Sequence, residues 1–75
     1  MTTQSIGERL NDFEEFARRK QYRYYLESEL EAATLYSALA DLEWDNARGE
    51  VFNRLARAEM LHATRWAEKL GVDPQ

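Results

Sequence analysis

Apolar residues recur along this chain at intervals of three and four, the spacing that gathers them on one side of an α-helix. Ile6, Leu10, Phe13 and Ala17 follow that rhythm. Ser5-Ile6-Gly7-Glu8 just before them has the form of a capping box, with Ser5 at the N-cap and Glu8 reaching back. A helical segment is therefore expected over residues 5–17. A second, over about 21–43, carries Tyr22, Tyr25, Leu26, Ala33, Tyr36 and Ala40 on one side at about 100° per residue. The two stripes are rotated by roughly 140° from each other. That fits either a break near Arg18 to Gln21 or one long helix showing different faces to different neighbours. The basic run Arg18-Arg19-Lys20 reads as a solvated face.

Trp44-Asp45-Asn46 predicts a turn, with Asp45 or Asn46 capping the next helix. That helix is expected over 47–70, closed by Gly71 and prevented from continuing by Pro74. A connection this short makes the two long helices antiparallel neighbours. The pattern thus predicts an all-α chain: one domain over 5–75, an antiparallel helical hairpin with a short N-terminal helical segment.

The polar positions break the pattern in an informative way. The apolar stripe of the last helix is Phe52, Leu55, Trp66 and Leu70, flanked by Val51 and Ala63, and Glu59 and His62 fall inside it. On the preceding helix, Glu27, Glu29 and Glu31 point in three directions, and only Glu29 lies along the stripe. Ala32 and Ala33 beside it allow close approach of a partner helix. A carboxylate on a core-facing stripe is costly unless it is paired, protonated or bound to a metal.

Composition narrows the choice of chemistry. With 75 residues and no cysteine, the chain has a small core and no disulfide to brace it, so a metal or a partner chain is expected. The formal net charge of −4 argues against nucleic acid as the main partner and favours cations. No apolar run approaches the ~20 residues that span a bilayer, and no signal-peptide core is present, so a cytoplasmic location is expected.

Glu59 and His62 are spaced i, i+3, one turn apart on one face. In helical-bundle di-iron proteins, two helices each give one Glu and the other two each give a Glu-x-x-His pair. This chain holds one lone stripe-facing Glu and one Glu-x-x-His, so two copies supply the complete set, at a site between chains. Oxygen-rich ligation with one imidazole per metal suits iron or manganese, and zinc also. The plainer alternatives are a core histidine held by a hydrogen bond, and carboxylates that pair with Arg48 or Arg65. Tyr22, Tyr25, Tyr36 and Trp66 read most simply as core.

The segments Glu29-Leu30-Glu31-Ala32-Ala33-Thr34-Leu35-Tyr36 and Ala58-Glu59-Met60-Leu61-His62-Ala63 resemble the ferritin-like superfamily. The nearest patterns are those of encapsulated ferritins and of the rubrerythrin-like domain attached to some vacuolar-iron-transporter-family proteins. The resemblance covers roughly Tyr22 to Leu70. It departs at Ser28, where an encapsulated ferritin often has another acid, and at Leu35, where an aromatic is common.

The resemblance implies association into a ferritin-like four-helix bundle, as a homodimer or higher homo-oligomer. It implies a di-iron site with Glu29, Glu59 and His62 as metal and catalytic ligands, and zinc, manganese or calcium as substitutes for iron. Tyr36 falls at the family's second-sphere tyrosine and Glu31 near its acidic metal-entry position. The implied reaction is ferroxidase chemistry, Fe(II) to Fe(III), with dioxygen or peroxide as oxidant. The implied settings are the cytoplasm, an encapsulin shell, or the cytosolic face of a membrane as a domain of an iron transporter. The alternatives are an iron-binding or sensing module without turnover, and a metal-free oligomerisation hairpin.

Overall fold

The computed structural model describes residues 5–74 and contains two helices, α1 (Ile6–Leu42) and α2 (Asn46–Leu70). Of the two possibilities for the N-terminal half, the structure has the second: residues 6–42 form one continuous helix. No glycine or proline interrupts residues 8–42, so no backbone feature forces a break where the stripe changes direction. The capping box forms as expected. The Ser5 hydroxyl accepts from the Glu8 N–H at 3.2 Å, and the Ser5 N–H donates to the Glu8 carboxylate at 3.2 Å.

The reversal is tight. Glu43 closes α1, its N–H donating to the Leu39 carbonyl at 3.0 Å. The Asp45 carboxylate then accepts from the Ala47 N–H at 2.9 Å and the Arg48 N–H at 3.2 Å, which starts α2. Gly71 ends α2 with φ at 71°, a left-handed conformation that a side chain would strain.

The helices lie antiparallel in a rod 66 Å long and 14 Å across in each other direction. What they bury differs from the stripe expected for α2. Its buried residues are Gly49, Ala56, Ala63, Ala67 and Leu70. Four of these, Gly49, Ala56, Ala63 and Leu70, are spaced by sevens along one line of α2, with Gly49 beside Ala40 and with Ala63 and Leu70 packed in one cluster with Leu26. Ala63, expected on a flank, is fully buried at 0 % exposure, whereas Leu55 is 38 % and Val51 49 % exposed. The reason is steric. Small residues let two backbones approach closely, and a Cβ at Gly49 would fit in ordinary contact, 3.7 Å from the Ala40 carbonyl. Of the expected stripe, Val51 and Leu55 therefore stay exposed beside the seam, while Leu70 is buried in it with Leu26.

α1 is longer than its partner. The Arg19 guanidinium donates to the Leu70 carbonyl at 2.8 Å, which marks where α2 ends against α1. Every residue from Ile6 to Arg18 is exposed, including Phe13 at 67 % and Phe16 at 62 %. Among the described residues, no helix is long and apolar enough to cross a membrane.

Candidate metal centre

The seam positions a layered site. Tyr22, Glu29 and Tyr36 follow one another by sevens on α1, and Phe52, Glu59 and Trp66 do so on α2. A seven-residue step is nearly two full turns, so each trio stays on one side of its helix. Because the helices run in opposite directions, the trios meet in register. Tyr22 packs on Trp66 with ring centroids 5.2 Å apart, and Tyr36 stacks on Phe52 at 6.5 Å. Between these aromatic layers, Glu29 meets Glu59 and His62.

The three side chains expected from sequence are brought together. One ligand atom from each of Glu29, Glu59 and His62 lies within 4.8 Å of the others. His62 Nδ1 is 3.1 Å from Glu29 Oε2 and 4.0 Å from Glu59 Oε2. The two carboxylates are the more sheltered, at 24 % and 23 % exposure, while the imidazole is 48 % exposed and lies on the open side of the hairpin. Glu29 and His62 also line a hollow of about 280 Å³ with Arg65, Trp66 and Lys69.

The site is electrostatically tense. The Glu59 carboxyl is pushed above its ordinary value, first by a hydrogen bond to Glu29, then by burial and by repulsion from the Glu29 charge, while His62 pulls it the other way. Two carboxylates facing each other bind a proton between them more tightly than either would alone. Among the described residues, neither Arg48 nor Arg65 forms an ion pair with Glu29 or Glu59, although Arg65 and Lys69 line the same hollow as Glu29. The histidine alternative survives in part, since His62 does contact Glu29. It is not a buried core residue, however.

The other sequence-derived positions lie outside the cluster. Glu27 and Glu31 are exposed. Tyr36 is held by Phe52 two turns from Glu29, and among the described residues no hydrogen bond joins it to Glu29 or Glu59. Sequence reasoning missed the aromatic walls, although the seven-residue spacing of Tyr22, Tyr36, Phe52 and Trp66 about the two glutamates signals them. Trp66 also touches Tyr25, with centroids 4.8 Å apart.

Two carboxylates and one imidazole converging within 4.8 Å form a donor set that fits a divalent transition ion such as Fe(II), Mn(II) or Zn(II). A single hairpin offers three such side chains, so coordination positions are left for water, substrate or a second chain. Comparison with protein-family models finds no match, and neither does comparison with curated proteins or with solved structures.

Proposed function

We propose that this chain is an iron-binding ferroxidase that works as a homodimer, two hairpins forming a ferritin-like four-helix bundle with a di-iron site at their interface. The observation that carries this reading is the convergence of Glu29, Glu59 and His62 from two helices, their ligand atoms within 4.8 Å, on the open side of a hairpin. Two copies bring four carboxylates and two imidazoles, the set that di-iron helical bundles use.

In this reading Fe(II) is the substrate. Glu29 and Glu59 hold it as carboxylates, terminal or bridging, and His62 supplies the imidazole. Glu59 binds a proton more readily than an ordinary carboxyl, so proton and cation compete for it. Each Fe(II) gives up one electron, and dioxygen, taking two electrons and two protons, leaves as hydrogen peroxide. The aromatic pairs Tyr22–Trp66 and Tyr36–Phe52 stand in the layers on either side of the carboxylates and brace the two helices there. Glu31, exposed on α1, adds negative field along a route of cation entry.

The test is aerobic addition of Fe(II) to metal-free protein, following ferric absorbance and oxygen consumption. Oxidation well above the protein-free rate, lost in Glu59→Ala, supports the ferroxidase. Stoichiometric iron binding with no rate increase leaves a binding or sensing module, and no binding at all leaves a metal-free oligomerisation hairpin.

A further inference from the structure

We propose that Trp66, Tyr25 and Tyr24 form a path for one-electron oxidation. An oxidising equivalent arising beside Glu29 and His62 passes from ring to ring to the surface of α1, where a soluble thiol quenches it. The source of the oxidant rests on the ferroxidase reading, whereas the path rests on the rings alone.

The geometry comes first. Trp66 lines the same hollow as Glu29 and His62. Its ring centroid is 4.8 Å from that of Tyr25, which in turn is 6.0 Å from that of Tyr24. Both separations fall within the span of about 4.5–7 Å found for interacting aromatic pairs. Trp66 and Tyr25 are half-buried and Tyr24 is 66 % exposed, so the series runs outward from the cluster. Electron transfer falls off steeply with the gap between π-systems, and neighbouring rings keep each step short.

Chemistry gives the direction. Oxidation of a phenol releases its O–H proton, which at neutral pH makes a tyrosyl radical a lower resting place than an indolyl radical. The Tyr25 hydroxyl accepts a hydrogen bond from the Gln21 amide at 2.8 Å in an exposed position, so its own proton can leave to water. Tyr22 also touches Trp66, at 5.2 Å, but the Lys69 ammonium stands 5.9 Å from the centre of its ring. A cation held by the electron-rich face opposes removal of an electron from that ring. The radical therefore leaves Trp66 by Tyr25.

Each step balances. Hydrogen peroxide, the product of the proposed oxidation, takes an electron from Fe(II), and its O–O bond breaks to give hydroxide and a hydroxyl radical. That radical takes one electron and the indole N–H proton from Trp66 and becomes water. The indolyl radical regains an electron from Tyr25 and a proton through water as the Tyr25 O–H bond breaks. Tyr24 restores Tyr25 in the same way. A thiol then gives Tyr24 a hydrogen atom, its S–H bond breaking to leave a thiyl radical in solution. His62 and the two carboxylates are spared.

The experiment uses the full chain free of metal, with Trp44→Phe so that Trp66 is the one indole. Trp44 is 87 % exposed, so the packing does not depend on it. Pulse radiolysis supplies azidyl radicals, which oxidise indole in preference to phenol. Indolyl absorbance should decay as tyrosyl absorbance grows, at a rate independent of chain concentration. Decay only by encounter between chains, at a rate proportional to concentration, overturns the path.

Three further changes on that background trace the route, each keeping a ring and checked for helix content by circular dichroism. Tyr25→Phe should lose the concentration-independent phase, and Tyr22→Phe should retain it; the reverse result overturns the route. Tyr24→Phe should keep the phase but lose tyrosine–tyrosine cross-links between chains, and undiminished cross-linking overturns the exit at Tyr24. If one of these fails to fold, the concentration dependence in Trp44→Phe still decides. With Fe(II) and hydrogen peroxide added, peptide mass spectrometry should find more oxidised Trp66 and His62 in Tyr25→Phe than in the wild type. Equal damage overturns the protective role. Radical transfer without catalysed oxidation of Fe(II) would sink the ferroxidase alone. Oxidation of Fe(II) with a radical that stays on Trp66 would sink the path alone.

Discussion

His62 Nδ1 lies 3.1 Å from Oε2 of Glu29, a residue 33 positions earlier on the opposite helix. The contact spans the hairpin just beside Ala63, which is completely buried. Its length therefore depends on how closely the two backbones approach, and that dependence can be tested.

Enlarging the seam should open the site. Ala63→Leu places a large side chain where there is no space, and overpacking of this kind typically costs about 1–3 kcal/mol. The helices must separate or rotate, which lengthens the Glu29–His62 contact. Zn²⁺ affinity should fall together with the melting temperature, whereas Leu61→Ala, on an exposed residue, should leave both nearly unchanged. Calorimetric titration of both variants checks this.

Three neighbouring acids should behave differently. Glu29→Ala removes a ligand and should weaken Zn²⁺ or Fe(II) binding by at least ~100-fold, beyond what loss of a supporting outer contact costs. Glu27→Ala should have no effect on affinity, because Glu27 is exposed and outside the cluster. Glu31→Ala should leave equilibrium affinity intact and slow cation uptake at low ionic strength only. Equal losses in Glu27→Ala and Glu29→Ala would refute the assignment.

Acidity should act in opposite senses on the metal-free and metal-bound protein. The folded state raises the Glu59 carboxyl above its unfolded value. Its contribution to stability is then complete below the ordinary carboxylate range and is lost as pH rises through the raised value. Metal-free protein should lose stability over that window, and Glu59→Gln should flatten the slope. Cation affinity should rise over the same window, because loading expels the proton. Denaturant melts at several pH values, with and without Zn²⁺, measure both slopes.

The end of α2 is tied down twice, by the Arg19 guanidinium on the Leu70 carbonyl and by the left-handed Gly71. Gly71→Ala should cost about 1 kcal/mol through backbone strain. Arg19→Ala should cost about 1 kcal/mol by removing a part-buried charged donor. Neither touches Glu29, Glu59 or His62, so thermal melts should shift while the number of ions bound per chain stays the same.

Much of this protein is legible from its chain alone, because the signals involved are local. The Ser5–Glu8 capping box, the Asp45 cap and the Gly71 stop depend on residues within a turn of one another, and sequence spacing fixes them. The antiparallel pairing follows from a reversal too short to allow anything else. Glu29, Glu59 and His62 stand out because helical phase separates them from Glu27 and Glu31, and phase is a property of sequence position.

What only the tertiary structure decides is how the phases of two helices meet. The largest apolar residues of α2 suggest a stripe centred on Phe52, Leu55 and Trp66, yet the buried seam runs along Gly49, Ala56, Ala63 and Leu70. Close backbone approach favours small side chains at the line of contact and sends bulk to the flanks. That rotation leaves Leu55 and His62 on an open side and stacks Tyr22 on Trp66 and Tyr36 on Phe52 around the glutamates. The structure likewise shows α1 to be continuous, in keeping with the absence of glycine and proline from residues 8–42, and only packing along Tyr22 to Ala40 determines where its second face is used.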